Sequence, residues 1–232
     1  MRIELGTEIV DITITRSKRK TACLRIRPDG SIEVRGPYMM SDEFVKSFVL
    51  QKSEWIKRKR QEALEKQKKK KDRSYTSGES FPYLGEEYVL TLIAGGRKKI
   101  ELSQGKMLVY TTSFEARNIE MQIKEWYKNQ AMEYIQSRLA YFKPYISGDV
   151  KSVVMENRKK RWGSCSSQRE LTFNWRLILA PSFVIDYVVV HELCHLKHMN
   201  HSPSFWKEVE RILPDYKIRK KWLEDNGVTL QM

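Results

Sequence analysis

The chain has 232 residues, 41% of them apolar and 11% aromatic, enough to bury a core in one large domain or two small ones and to exclude a wholly disordered chain. Its 43 basic against 29 acidic side chains leave a formal charge of +14, which favours anionic partners: nucleic acid, nucleotides or acidic protein surfaces. No run of uncharged apolar residues is long enough to cross a membrane, and the N-terminus MRIELGTEIVDITI scatters charge where an export signal needs an apolar stretch, so neither is expected.

Residues 8–36 alternate apolar and polar positions around the turn sequence PDG, the pattern of a small antiparallel β-meander. Ser41, followed by Asp42 and Glu43, is a suitable N-cap. The helix it opens is expected to turn Phe44, Phe48, Trp55, Ile56 and Leu64 toward the core. That helix runs into a basic segment, residues 57–73, with ten Lys or Arg against three acids, half of the chain's net charge. The segment reads first as a solvated helical end leading into a linker, and second as a nucleic-acid patch.

Strands return over 81–111, around the turn at Gly95 and Gly96. The spacing of Ile119, Ile123, Trp126, Tyr127, Met132, Tyr134, Ile135 and Leu139 predicts a long amphipathic helix over 113–142, stopped before Pro144. VKSVVMENRKKRWGSC and ELTFNWRLIL read as two strands flanking the turn SSQR. Pro181 starts a helix, Asn200 is a suitable stop for it, and Ser202 with Pro203 caps another. No internal repeat stands out. Cys23, Cys165 and Cys194 are odd in number and far apart, which argues against a disulfide framework or a zinc ribbon and for a reducing cytoplasm.

All four histidines fall in VVVHELCHLKHMNHSPSFW, residues 188–206. His191-Glu192-Leu193-Cys194-His195 is H-E-x-x-H. On a helix, positions i and i+4 share a face, so both imidazoles reach one zinc ion, while Glu192, about 100° round, stands beside the metal as general base. A catalytic zinc takes three protein ligands and leaves one position open. His198 continues the helical face but stands ~10 Å above His191 on a straight helix. His201 lies beyond the helix stop, where the chain can turn back, and is ranked first as third ligand. His198 is left as a surface, supporting or substrate-contacting residue. Cys194 points away from its neighbour His195 and reads as a small buried hydrophobe. Arg158, Lys160, Arg161 and Ser164 are candidate contacts to an anionic substrate group or a developing oxyanion, with solvent-facing strand residues as the alternative.

RWGSC, NWRL, AP, DYVVVHELCH and NHSPSFW follow one another over residues 161–206, and in that order the chain resembles the YgjP-like metallopeptidase family, with more distant likeness to SprT-like and WLM zinc proteases. Weaker similarity, including YLGEEY and KSEWIKRKR, extends over nearly the whole chain. The resemblance implies His191, His195 and His201 as zinc ligands and Glu192 as base. It also implies an α+β fold: a β-rich N-terminal part with a basic helix, residues 1–80, then a zincin-like catalytic domain of minimal gluzincin type, residues 81–232. A peptide or protein substrate is implied first. A nucleotide is second, since a UTP pyrophosphatase assignment has also been attached to the family. A protease recruited to nucleic acid through 57–73 is third.

Overall fold

The computed structural model describes residues 1–5, 8–27, 29–68, 73–158 and 161–230. It is a mixed α+β chain with three sheets and six α-helices among the described residues, in two compact units, Met1–Lys71 and Asp72–Met232.

The N-terminal unit is built on β1 (Arg2–Leu5), β2 (Glu8–Ser17), β3 (Cys23–Ile26) and β4 (Ile32–Pro37), ordered β1-β2-β4-β3. Strand β2 pairs parallel to β4, while β1 and β3 pair antiparallel to their neighbours, so the expected all-antiparallel meander is corrected to a mixed sheet. Period-two alternation fixes which side chains face the core and says nothing of strand direction. The expected single helix is also two: α1 (Asp42–Gln51) and α2 (Ser53–Lys68), parted at Lys52. Ser41 does cap α1, its hydroxyl accepting from Phe44 N at 3.2 Å. The buried stripe is Val45, Val49 and Ile56, not Phe44 or Trp55, which are 50% and 37% exposed. Two valines at i and i+4 bury completely against the sheet, which leaves the larger rings one residue round the helix on the outer side.

The C-terminal unit opens with β5 (Ser80–Tyr83), β6 (Glu86–Ala94), β7 (Lys99–Ser103) and β8 (Lys106–Thr111), ordered β5-β6-β8-β7 with β6 parallel to β8. This repeats the strand order and directions of the first sheet, with EIVDITI opening β2 and EEYVLTLI opening β6. The repetition is in topology, with too few shared letters to stand out in sequence. Helix α3 (Ala116–Phe142) follows as expected and buries Ile119, Ile123, Tyr127, Ile135 and Leu139 on one face.

The third sheet has β9 (Ser152–Glu156), β10 (Gly163–Cys165) and β11 (Glu170–Asn174), ordered β10-β11-β9. The stretch expected to form one strand from Val150 to Cys165 instead supplies β9 and β10 on opposite sides of β11, parallel and antiparallel to it. Arg158 and Arg161 of the basic run lie in neither strand. A 3-10 helix, Trp175–Leu179, leads to α4 (Ser182–Cys194). Then come α5 (Pro203–Ile212), capped by Ser202 as expected, and α6 (Tyr216–Asn226), which sequence reading did not anticipate. No helix is long and apolar enough to cross a membrane.

Candidate metal centre

Helix α4 is apolar all round because it runs through the core: Val184, Ile185, Val188, Val189, Val190 and Leu193 are all buried, the pattern of a fully enclosed helix. Its start is fixed on both sides. Leu84 N donates to Ile178 O at 2.8 Å, and Gly85, at φ +87°, lies so close that a Cβ there would stand 2.8 Å from Pro181 Cα. Arg138 on α3 makes a two-pronged ion pair with Asp186, at 2.6 and 3.1 Å, a geometry that restricts rotation as well as separation.

The helix ends six residues before Asn200. Cys194 is its last residue and His195 its C-cap, in the right-handed helical region. The tight turn that follows brings His198 back, and its carbonyl oxygen lies 2.9 Å from His195 Nδ1. That contact holds the ring so that Nε2 faces away from the turn, the arrangement by which a metal-ligating imidazole is commonly oriented. His198 therefore contributes its backbone to His195, and its ring is not among the gathered ones. The chain then delivers His201, whose Nε2 lies 3.0 Å from His191 Nε2. One ligand atom each from His191, His195 and His201 lies within 4.8 Å of the others.

Zinc takes tetrahedral imidazole nitrogens at ~2.0–2.1 Å, which places them about 3.4 Å apart, so this group needs only small adjustment to fit. Burial pushes the pKa of His191 down to about 3, with the neighbouring imidazoles adding to the effect, and burial lowers that of His195. Both rings are neutral at pH 7, the state a metal requires. His191 Nδ1 is buried with no hydrogen-bond partner among the described residues, so the ring's other polar atom is the one with a defined role.

An aromatic wall holds the three rings. Phe205, fully buried, stacks on His195 with centroids 4.6 Å apart and touches His191 and His201 at 4.9 Å. Trp206 lies over His201 at 5.7 Å and 23°, and is itself stacked on Tyr216 of α6. Lys220 Nζ sits 4.9 Å from the Trp206 ring. The Ser202 cap and Pro203 start α5 two residues after His201, which aims Phe205 and Trp206 back at the histidines.

Glu192 is 5% exposed, and burial raises its pKa to about 8, opposed by the charge of Arg161. It lies against β10: a Cβ built on Gly163 would stand 2.5 Å from Glu192 Oε1 and 2.7 Å from its Cγ. The glycine of RWGSC is thus the space the carboxylate occupies. Alternation on β10 turns Ser164 to the opposite side, where its hydroxyl accepts from Arg158 at 3.1 Å while Arg158 also pairs with Glu156 at 2.6 Å. Arg161 has no side-chain partner among the described residues. Lys160, with Lys159 and much of the lysine run after Gln67, lies outside them.

Sequence reading missed Asn174. It is 3% exposed, donates to Arg158 O at 2.7 Å and accepts from Arg176 N at 3.1 Å, so it ties the 158–162 connection to the end of β11. Its signal was an amide set between two aromatic residues, Phe173 and Trp175, in LTFNWRLIL, since a buried amide persists only where its hydrogen bonds are met. The cysteines stand apart from the chemistry. Burial pushes Cys194 up to about 12 and also raises Cys165, helped by the Glu192 charge, so both are thiols at neutral pH and poor nucleophiles or ligands.

The model of the YgjP-like family, described as a metallopeptidase domain, matches residues 20–226. The chain belongs to the YgjP-like family. No curated protein and no solved structure matches it. Membership in this family, with three histidines brought together at one point, makes the chain a metallopeptidase-type, metal-dependent hydrolase by family.

Proposed function

We propose that the chain is a zinc-dependent metallopeptidase in which His191, His195 and His201 hold the ion and Glu192 is the general base. The observation that carries this reading is the buried Glu192 carboxylate, next in sequence to a gathered imidazole and seated on the glycine of strand β10. Three imidazoles without a thiolate are the donor set of a catalytic zinc rather than a structural one. A zinc ion bound there supplies Lewis acidity, polarising the scissile carbonyl and making water nucleophilic at neutral pH.

The chain's own groups do the rest. Glu192 Oε1 accepts the proton of the attacking water and passes it to the leaving amine. Burial favours its protonated form, and a cation close by favours the carboxylate, so the group is poised to do both. The outer edge of β10 has no strand partner among the described residues, and an extended peptide can add there by main-chain hydrogen bonds, as in zincin-like domains. Arg161 is the candidate to stabilise negative charge developing on the carbonyl oxygen. Arg158 and Ser164, bound to one another, support β10 in this reading. Free cysteines suit a cytoplasmic enzyme.

A second reading, a nucleoside triphosphate (UTP) pyrophosphatase, is favoured by the two cations near the centre. Arg161 acts on Glu192 and Lys220 on His191, a distribution that suits a polyphosphate. Peptides and nucleoside triphosphates assayed in parallel, with wild type and Glu192→Gln, separate the two. The first reading predicts peptide cleavage that Glu192→Gln lowers by at least 100-fold. Pyrophosphate release with no peptide cleavage replaces it with the second.

A further inference from the structure

The N-terminal unit carries charge and exposed aromatic surface that hydrolysis at the metal centre does not use. Residues 1–71 hold 19 of the 43 basic side chains and 10 of the 29 acidic ones, a net +9 of the chain's +14. Local ion pairs absorb Arg2, Arg16, Arg27, Arg35 and residues 57–60. Lys18, Arg19, Lys20, Arg25, Lys46 and Lys52 have no acidic partner among the described residues.

These cations accompany a run of rings. Phe44 and Phe48 stack on the outer side of α1, centroids 5.8 Å apart and planes 12° from parallel, and Lys52 Nζ sits 5.6 Å from the Phe48 ring. Beside them a groove of about 520 Å³ runs between Phe48 and Trp55, with Cys23 of edge strand β3 on its wall. Arg19 points at that wall, donating to Cys23 Sγ at 3.2 Å. The single acid at the rim, Glu54, is paired with Lys57 at 3.0 Å.

Parallel, half-exposed rings flanked by unpaired cations match the chemistry of a single-stranded polynucleotide: each base presents a flat face and each link an anion. An acidic peptide meets the cations and leaves the rings without a stacking partner, and a duplex hides its base faces. We infer that the N-terminal unit binds single-stranded nucleic acid, stacking bases on Phe44 and in the Phe48–Trp55 groove, with Lys52 and Arg19 on the phosphates. The groove's volume suits one nucleotide.

The test is fluorescence anisotropy of labelled oligo-dT and oligo-U 20-mers with the full chain, over a salt series. Both oligonucleotides bind within a few-fold of each other, because stacking and phosphate contacts do not read the 2′-hydroxyl. Phe44→Ala and Trp55→Ala each weaken binding about 5- to 100-fold, and Trp55→Phe restores most of it. Lys52→Gln lowers the salt slope by about 1. Circular dichroism establishes that each variant is folded, which half-exposed side chains allow. Glu192→Gln binds as wild type, so this result stands or falls apart from the hydrolase reading. Three results overturn the inference: ring variants that bind as wild type while neutralising Lys68–Lys71 abolishes binding, equal competition by poly-glutamate or by a duplex, or ring-dependent binding to anionic vesicles with none to oligonucleotides.

Discussion

Gly163→Ala is the most exacting substitution for the arrangement around Glu192. The added methyl carbon would lie 2.5 Å from Oε1, 2.7 Å from Cγ and 2.8 Å from Cδ of that side chain, against the ~3.5–4.0 Å of an ordinary non-bonded contact. Either the carboxylate swings away or β10 retreats, by about 1 Å in both cases. Overpacking of this kind costs about 1–3 kcal/mol of stability, and a displacement of ~1 Å at a reacting group costs about 100-fold in rate. The histidines lie elsewhere on α4 and on the following turn, so zinc affinity changes by only a few-fold. The assay pairs kcat on a peptide substrate with calorimetric zinc titration of the same variant. Wild-type kcat in Gly163→Ala would refute the placement of Glu192. Loss of zinc binding along with activity would show that β10 supports the ligands rather than the base.

Two further predictions concern folding and pH. Asn174→Ala leaves Arg176 N, Arg158 O and the 158–162 connection without their buried partner, and is expected to cost about 1–3 kcal/mol in urea unfolding and to lower kcat more than it raises KM. In the metal-free chain, Glu192 has its pKa raised to about 8 from an unfolded value of 4.5, so over that range the folded state holds a proton the unfolded state has lost and stability falls as pH rises. His191, lowered to about 3 from 6.5, has the opposite slope between pH 3 and 6.5, and its contribution is lost as pH falls. The two offset from pH 4.5 to 6.5. From pH 6.5 to 8 only the Glu192 slope remains, about 2 kcal/mol at 1.36 kcal/mol per unit, or about 4–8 °C in Tm. Thermal melts of apo wild type are expected to show that alkaline decline and those of apo Glu192→Gln to lack it; identical profiles would remove the burial argument.

What sequence made legible is what repeats at short range. Helical spacing brought His191 and His195 together, and the Ser202-Pro203 start of α5 was readable because capping depends on adjacent residues. The choice of His201 over His198 rested on axial rise along a straight helix. In the structure the helix ends sooner, at Cys194, and His198 meets His195 through its carbonyl instead. Features that depend on distant segments were not readable. The parallel pairings of β2 with β4 and of β9 with β11, and the packing of Gly163 on Glu192, each join residues 15 or more positions apart. The outward phase of Phe44 and Trp55 failed for a related reason: a hydrophobic stripe identifies a face, and the sheet beneath chose the face with Val45 and Val49. Phe205 and Trp206 were part of a recognised motif, but only the folded chain gives them a task.

X-ray absorption at the zinc edge on the stoichiometrically loaded chain, compared with Glu192→Gln and paired with turnover, separates the metal ligands from the base in one measurement. The expected result is one zinc per chain bound by three imidazole nitrogens and one oxygen at ~2.0–2.1 Å, an unchanged ligand shell in Glu192→Gln, and turnover in wild type alone. A sulfur shell at ~2.3 Å, which would bring Cys165 or Cys194 to the metal, or full activity in Glu192→Gln, would contradict it.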